Sequence, residues 1–264
     1  MTTAEFCALH MPVLEQDEAR HMMMLGVLTS MTGAQSAGVQ TWTLGRPGQC
    51  AIMRPSGQIL LADLDGRQCY AFAEATADLD YGGVIGPEQT AIWFMRRACE
   101  LGAAFLEPMP QRIHSLSEAP IYPAAPGYAR QATSRDVDIL TNWLTSFVRE
   151  ASPHEVAPSR ESVEKGVASG RYFVWMVGED PVSTAAIVRR TRHSGGIAAV
   201  FTPPGSRGKG YAGAVTAAVV EHLFDEGKTI ACLNTDLRNP YSNRCYAKIG
   251  FKSVCDTVFF PRRR

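Results

Sequence analysis

Residues 197–218 combine the residue types that would bind a phosphate. The stretch begins with an apolar segment at 197–201, continues through Pro203 and Pro204 to Arg207-Gly208-Lys209-Gly210, and then starts a helix. The first N–H groups of a helix have no partner within it, and the helix dipole places partial positive charge there. Glycine has no Cβ, so an anion can come close to its backbone. The spacing therefore predicts a site for a phosphate-bearing ligand.

Two general phosphate motifs compete for this loop. A P-loop requires Gly-x4-Gly-Lys-Ser/Thr, but Gly210 follows Lys209, and the hydroxyl that would bind magnesium is missing. The dinucleotide fingerprint Gly-x-Gly-x-x-Gly is matched by Gly208, Gly210 and Gly213, and Asp236 ends the next predicted strand. The glycines stand several residues from the strand, where that fingerprint needs a tight turn. A dinucleotide-binding oxidoreductase remains an alternative.

A family resemblance provides a third interpretation, since residues 128–264 resemble the GNAT superfamily of acyl-CoA-dependent N-acyltransferases. The segments that resemble it are Val200-Phe201-Thr202-Pro203-Pro204, Arg207-Gly208-Lys209-Gly210-Tyr211-Ala212, and the run from Asn239 to Phe251 with Tyr246 ahead of Gly250-Phe251. The first two correspond to the family's Gln/Arg-x-x-Gly-x-Gly/Ala motif, although Gly205 occupies the Gln/Arg position. The third corresponds to its downstream motif.

The resemblance implies acetyl-CoA as cosubstrate and assigns roles by position. The backbone of Arg207, Gly208, Lys209, Gly210, Tyr211 and Ala212 would hold the pyrophosphate. The strand edge at Val200, Phe201 and Thr202 would pair with pantetheine, and an N–H there, that of Phe201, would bind the thioester oxygen. Asn239 or Asn243 would contact the same arm. Lys209 as a surface charge and Asn239 as a helix N-cap are equally acceptable interpretations.

Catalysis by direct transfer to an amine would use Tyr246 as the acid that protonates the leaving thiolate. A packing role is the alternative for this side chain. The base is not evident: Glu150, His154 and Glu155 are candidates, and a water relay is another route. A non-catalytic acyl-CoA sensor is therefore the second functional hypothesis. The predicted acceptor is the primary amine of a small molecule or peptide.

The elements that position these residues follow from periodicity and turn residues. The second half is predicted as β-α-α-β-β-β-α-β-α-β, with a βαβ unit around the glycine loop and a hairpin before it, which gives an α/β fold with a mixed sheet. Its second helix is predicted at 160–168 and its second strand at 172–177. The first half is predicted as a helix at 14–32, strands at 39–44, 49–53, 58–62, 68–73 and 112–116, with Asp65-Gly66 as a turn, and a helix from Pro87.

The proline-rich segment at 119–127 is interpreted as a linker. We therefore predict two tandem similar halves, with domains at 1–122 and 128–264. The first is a degenerate acyltransferase-like half that binds no CoA of its own, because it has no Arg-Gly-x-Gly loop.

Composition excludes several function classes. Lys+Arg and Asp+Glu are both 26 among 264 residues, so no basic excess indicates a nucleic acid partner. The seven cysteines include no Cys-x-x-Cys pair, and the six histidines are scattered, so we expect neither disulfides nor a metal site. The N-terminus does not resemble a signal peptide, and no apolar run matches a membrane span. We expect a cytoplasmic protein, and leave a homodimer open.

Overall fold

The computed structural model describes residues 1–31, 38–151 and 155–263. The strands in these ranges, β1 to β11, are Gln40–Thr43, Cys50–Met53, Gln58–Leu61, Gly83–Pro87, Met109–Leu116, Tyr128–Gln131, Tyr172–Val177, Asp180–Arg190, Ser194–Phe201, Ile230–Asp236 and Lys252–Pro261. The helices, α1 to α8, are Thr3–Leu14, Glu18–Met31, Gly66–Ala75, Glu88–Glu100, Val137–Ala151, Arg160–Ala168, Tyr211–Asp225 and Pro240–Ile249. No helix in the described ranges is long and apolar enough to cross a membrane.

The chain forms two compact units that are not contiguous in sequence. Unit 1 contains Met1–His114, Thr235–Asn239 and the C-terminal segment from Ser253, and unit 2 contains Ser115–Asn234 and Pro240–Lys252. The last strand, β11, therefore belongs to unit 1 although it follows α8 of unit 2. The domain limits predicted from sequence, 1–122 and 128–264, stay a prediction.

Unit 1 has helices on both faces of a mixed sheet with the strand order β1-β2-β3-β4-β11-β5. Strands β3 and β4 are parallel, and β11 is antiparallel to β4. Alternate residues of β2 and β3 point to opposite faces, as a strand requires. Cys50, Ile52 and Leu60 pack with α1 and α2, whereas Ala51, Ile59 and Leu61 pack with α3 and α4.

Unit 2 has the same layered arrangement, with the strand order β10-β9-β8-β7-β6. Strands β7, β8 and β9 are antiparallel, and β9 and β10 are parallel around α7. This confirms the predicted hairpin and the predicted βαβ unit. Val174, Ala186 and Phe201 pack with α5 and α6, and Ile187 and Leu233 pack with α7 and α8. The mixed-sheet α/β fold with two similar halves is thus confirmed.

In the first half, one predicted strand was wrong and one helix was not predicted. Residues 68–73, predicted as a strand, lie in α3, where Asp65 and Gln68 form a capping box. The Asp65-Gly66 pair was interpreted as a turn, but Asp65 is the N-cap, and Cys69, Phe72 and Ala73 follow at helical spacing. Helix α1 was missed, although Thr2 and Glu5 form a second capping box at its start. Thr32, the end of the predicted first helix, lies outside the described residues.

Candidate functional site

The end of strand β9 extends beyond its parallel partner. The register with β10 runs from Ser194↔Ile230 to Ile197↔Leu233, whereas β9 continues to Phe201. A parallel neighbour that diverges leaves the N–H and C=O groups of one strand edge available to another extended chain. The residues at this edge are Ala198 to Phe201, three of which are half-buried.

A bulge marks the same part of β9. Ala198 lies opposite Ala186 and Phe201 opposite Thr184, so three steps along β9 match two along β8. Ala199 has φ +52°, in the left-handed region that a residue with a Cβ adopts at a cost of about 1–3 kcal/mol. A bulge bends a strand and changes the direction of its backbone groups. The backbone groups at the end of β9 therefore point in a different direction from those in the paired part of the strand.

Ser183 fixes the end of β9 from the neighbouring strand. Its side chain is fully buried, and its Oγ donates to the Phe201 carbonyl at 3.0 Å. The same Oγ lies 2.8 Å from Thr202 Oγ1. Two hydrogen bonds therefore hold the peptide group at which the strand ends and the loop begins.

The loop after β9 places two glycines at the start of α7. Gly208 has φ +79° and Gly210, the N-cap of α7, has φ +83°, so both need the conformational freedom of glycine. In the part of the chain that the structure describes, no side chain caps this helix. Its first N–H groups are therefore open to a ligand at the positive end of the dipole. A Cβ at Gly208 would meet nothing within 4 Å, and the loop from Arg207 to Gly210 is exposed.

Arg207 ties this loop to the end of α5. Its Nε donates to the Thr202 carbonyl at 2.9 Å, and its Nη2 donates to Glu150 Oε2 at 2.7 Å. The guanidinium also lies 5.7 Å from the centroid of the Phe201 ring. Glu150, a predicted candidate base, is therefore engaged in an ion pair. Among the described residues, Lys209 Nζ approaches only the Gly205 carbonyl, at the long distance of 3.5 Å.

Tyr246 lies on α8 in the core that α7 and α8 share. It is 9% exposed, and its ring packs edge-on against Phe251 with centroids 6.0 Å apart. Burial raises the pKa of its phenol well above the ordinary value, so the proton is retained. Within the described part of the chain, the phenol makes no side-chain hydrogen bond. A protonated, uncommitted hydroxyl can act as a proton donor.

The remaining predicted residues are distributed around these elements. Tyr211 and Ala212 form the first turn of α7, and Asn243 lies half-buried on α8. Asn239 is exposed, precedes α8 and belongs to unit 1, so the structure does not group it with the others. Glu155 is exposed, and His154 lies outside the described residues.

Sequence reasoning missed three features of the site. The left-handed Ala199 and the bonds of Ser183 have no sequence signal of their own, except that a serine inside an apolar strand needs a buried partner. The predicted linker also contributes, because Pro123 and Ala125 lie beside the loop: a Cβ on Gly210 would stand 3.5 and 3.4 Å from their Cβ atoms. Gly213 of the literal dinucleotide fingerprint is a packing position, where a Cβ would lie 3.4 Å from Cys245 Sγ.

Comparison with known structures shows a fold shared over almost the whole chain. A Drosophila protein superposes with a TM-score of 0.74 at 11% identity, over 100% of this chain and 97% of that one. A GCN5-related N-acetyltransferase from Kribbella flavida gives 0.61 at 14% identity, over 93% and 96%. A tandem GNAT protein from the clavulanic acid biosynthesis pathway gives 0.53 at 11% identity, over 89% and 86%. No curated protein sequence matches the chain.

The sequence itself matches a family model over the elements that form the site. Residues 137–251 match the acetyltransferase (GNAT) family, and this range runs from the start of α5 to the second residue after α8. It includes the bulged β9, the glycine loop and Tyr246. Unit 1 adds a second GNAT-like fold. The part of the chain that forms the site is therefore similar to the GNAT acetyltransferase family, and the whole chain has a fold similar to that of a tandem GNAT protein.

Proposed function

We propose that unit 2 transfers the acetyl group of acetyl-CoA directly to the primary amine of a small molecule or peptide. The observation that supports this most strongly is the juxtaposition of two structures along the chain. A bulged strand with an unpaired edge is followed by a helix start that has no side-chain cap and two glycines with positive φ. The strand edge suits an extended amide chain, and the helix start suits a pyrophosphate.

The loop fits a pyrophosphate by its shape and its donors. The open space around Gly208 lets phosphate oxygens approach the backbone from Arg207 to Ala212. Lys209 can add positive charge at the rim. The Arg207 guanidinium is committed to Glu150 and Thr202, and its backbone N–H donates to the Pro204 carbonyl, so we assign this residue to holding the loop. The amides of pantetheine would pair with Val200 and Thr202 along the β9 edge.

In the proposed reaction the amine nitrogen attacks the thioester carbon. A C–N bond forms and the C–S bond breaks, while the amine loses one proton and the departing sulfur gains one. The N–H of Phe201 would donate to the carbonyl oxygen as it becomes negative. Tyr246 would give its proton to the sulfur and recover one from solvent. No covalent enzyme intermediate is needed, so the cysteines have no catalytic role.

No single residue is assigned as the general base that removes the proton of the acceptor amine. Glu150 is paired with Arg207 and Glu155 is exposed, so a water relay is the route that we favour for removal of the amine proton. The acceptor class, the cytoplasmic location and a homodimer all stay predictions.

Release of free CoA thiol tests this function directly. We expect thiol release when the protein is incubated with acetyl-CoA and a panel of primary amines, including peptide N-termini and lysine side chains. Tyr246→Phe should slow it, and mass spectrometry should find the amide product. Thiol release without any acetylated amine, or none with any amine, would contradict the proposal.

The alternative is a non-catalytic acyl-CoA sensor. The ion pair between Glu150 and Arg207 favours it, because a paired Glu150 is less able to act as the base. It predicts that acetyl-CoA raises the melting temperature while no amine is acetylated. A dinucleotide-binding oxidoreductase would instead be stabilised by a nicotinamide dinucleotide and not by CoA. The position of Gly213 against Cys245 and Pro123 argues against that reading.

A further inference from the structure

The proline-rich segment at 119–127, which we call the strap, is fastened to unit 2 at both ends. Near its start, the Ile121 N–H donates to the carbonyl of Ile249, the last residue of α8, at 2.8 Å. At its end, the Pro126 carbonyl accepts a hydrogen bond from Trp175 Nε1 on β7 at 2.9 Å. The segment that the sequence indicates as a linker therefore follows a defined path over unit 2.

Gly127 lets the end of the strap lie directly against β7. A Cβ at this position would stand 2.0 Å from the Met176 carbonyl oxygen, and its φ of +115° favours glycine. A residue with a side chain would push the strap away from the strand. One glycine and two hydrogen bonds thus fix where the strap runs.

Tyr122 ties the strap to α7 itself. Its hydroxyl donates a hydrogen bond to Oε2 of Glu221, in the second half of the helix. Burial and this bond raise the pKa of the Tyr122 phenol, so the hydroxyl keeps its proton and remains a donor. Both residues are exposed, so the bond is a modest fastening at the surface.

The middle of the strap lies against the start of α7, where the glycine loop ends. A Cβ at Gly210 would lie 3.4 Å from the Cβ of Ala125 and 3.5 Å from that of Pro123. A Cβ at Gly213 would lie 3.2 Å from Pro123 Cγ. Pro123 therefore packs on both the N-cap and the first turn, and limits their movement on that side.

The strap can influence a ligand of this loop only through the conformation of the loop. It contains no charged residue, so it does not attract an anion. Gly208 and Gly210 both have positive φ, and a loop of this kind has many conformations when nothing holds it. A contact that orders the loop beforehand raises affinity, because less conformational entropy is lost on binding.

We propose that the strap is a positioning element of the cofactor site. It holds the glycine loop and the first turn of α7 in the conformation that binds a phosphate, with Pro123 as the contact and Tyr122 as the fastening. That this phosphate belongs to acetyl-CoA rests on the function proposed above, whereas the ordering of the loop does not. The strap therefore affects cofactor affinity and not the transfer step.

The ¹⁵N{¹H} heteronuclear NOE of the free protein measures the order of the loop. In the wild type, Gly208 and Gly210 should give values like those of the interior of α7. Their values should fall in Pro123→Gly, which removes the contact, and in Tyr122→Phe, which removes the tie. Gly178, an exposed glycine with positive φ in the β7–β8 turn, should not change. The NOE reports motion faster than nanoseconds, so a lower global stability does not change it.

Calorimetric titration with acetyl-CoA tests the consequence for binding. Pro123→Gly should weaken the affinity about tenfold and Tyr122→Phe about threefold, as expected from a freed backbone and one exposed hydrogen bond. The kcat at saturating acetyl-CoA should stay unchanged. The matched controls are Ala124→Gly, at an exposed strap position, and Tyr128→Phe, at an exposed tyrosine on β6, and both should bind like the wild type.

Unchanged glycine NOE values in both strap variants would overturn this assignment. Lower NOE values with wild-type affinity would contradict a positioning role, as would an equal loss of affinity in Ala124→Gly or a fall in kcat at saturation. If the wild type does not bind acetyl-CoA, the function proposed for unit 2 fails, and the NOE values still decide whether the strap orders the loop.

Discussion

At the scale of single residues, the proposed chemistry depends on one buried phenol. Tyr246 is held in the core of unit 2 between α7 and α8, and burial raises its pKa. The phenol therefore keeps its proton over a wide pH range and is protonated when the thiolate leaves.

We predict that Tyr246→Phe lowers kcat for acetyl transfer by about a hundredfold or more, which is the usual effect of removing a general acid. KM for acetyl-CoA should change little, because the ring and its packing against Phe251 remain. Steady-state kinetics with thiol detection checks this. A variant with wild-type kcat would leave Tyr246 with a packing role only.

The raised pKa of Tyr246 also predicts the alkaline side of the pH profile. A proton donor is active below its pKa, so an upward shift extends activity to higher pH. We expect kcat to show no decline assignable to this residue up to about pH 10, the ordinary pKa of tyrosine. A decline between pH 7 and 9 that disappears in Tyr246→Phe would contradict the assignment.

Residue chemistry predicted part of the site and missed the rest. Gly208 and Gly210 were predictable because the loop requires positive φ, which favours glycine. The pairing of Arg207 with Glu150 was not, since these residues are far apart in sequence and only the fold brings them together. The left-handed conformation of Ala199 was also not predictable, because alanine normally avoids that conformation.

At the scale of elements, the start of α5 shows how local bonds fix a helix of unit 2. Asp136 is buried, accepts two bonds from Arg130 at 2.7 and 2.9 Å, and caps the chain through the Thr133 N–H at 2.7 Å. The Arg130 bonds, with those of Thr133, lower the pKa of Asp136 despite its burial. The carboxylate therefore stabilises the folded state while it is charged.

We predict that Asp136→Asn lowers the free energy of unfolding by about 2–3 kcal/mol near pH 7, from the weakened cap and the loss of the carboxylate that pairs with Arg130. Because the folded pKa lies below the ordinary value of 3.8, the difference should be full above that pH and should vanish as the pH falls through the folded pKa. Urea unfolding at several pH values measures it.

The control for this variant is Asp138→Asn, two residues further along, where the carboxylate is exposed and its pairing with Arg160 is on the surface. Its effect should stay below about 1 kcal/mol. Equal destabilisation by both variants would show that the buried hydrogen bonds of Asp136 stabilise the protein no more than the surface ion pair of Asp138 does.

The elements themselves were predictable to different degrees. Helix α6 and strand β7 match their predicted limits because clear caps and apolar runs define them. Helix α3 was mistaken for a strand because its few apolar residues were read at the wrong period, and the Asp65 cap was read as a turn.

At the scale of the whole molecule, the last strand of the chain completes the first unit. Val258 and Phe260 of β11 lie in the core with α3 and α4, and Phe259 lies in the core with α1 and α2. Nothing in the amino-acid pattern of β11 indicates which sheet it joins, because strand pairing over such a sequence distance depends on the complete fold.

We predict that residues 1–122 do not fold alone. The three buried side chains of β11 are each worth about 2 kcal/mol, which is a large share of the 5–15 kcal/mol that stabilises a typical domain. Circular dichroism and urea titration should show no cooperative transition. The matched control joins residues 252–263 to this fragment through a flexible linker and should recover one. A cooperative transition of similar size in both fragments would contradict the conclusion that unit 1 needs β11 to fold.

The central claim is that the glycine loop before α7 binds the pyrophosphate of acetyl-CoA. Calorimetric titration of acetyl-CoA into Gly208→Glu tests it against Gly178→Glu, because Gly178 also has positive φ and open space but lies in the β7–β8 turn. We expect that Gly178→Glu binds like the wild type and that Gly208→Glu shows no measurable binding while remaining folded. Wild-type affinity in a folded Gly208→Glu protein would contradict it.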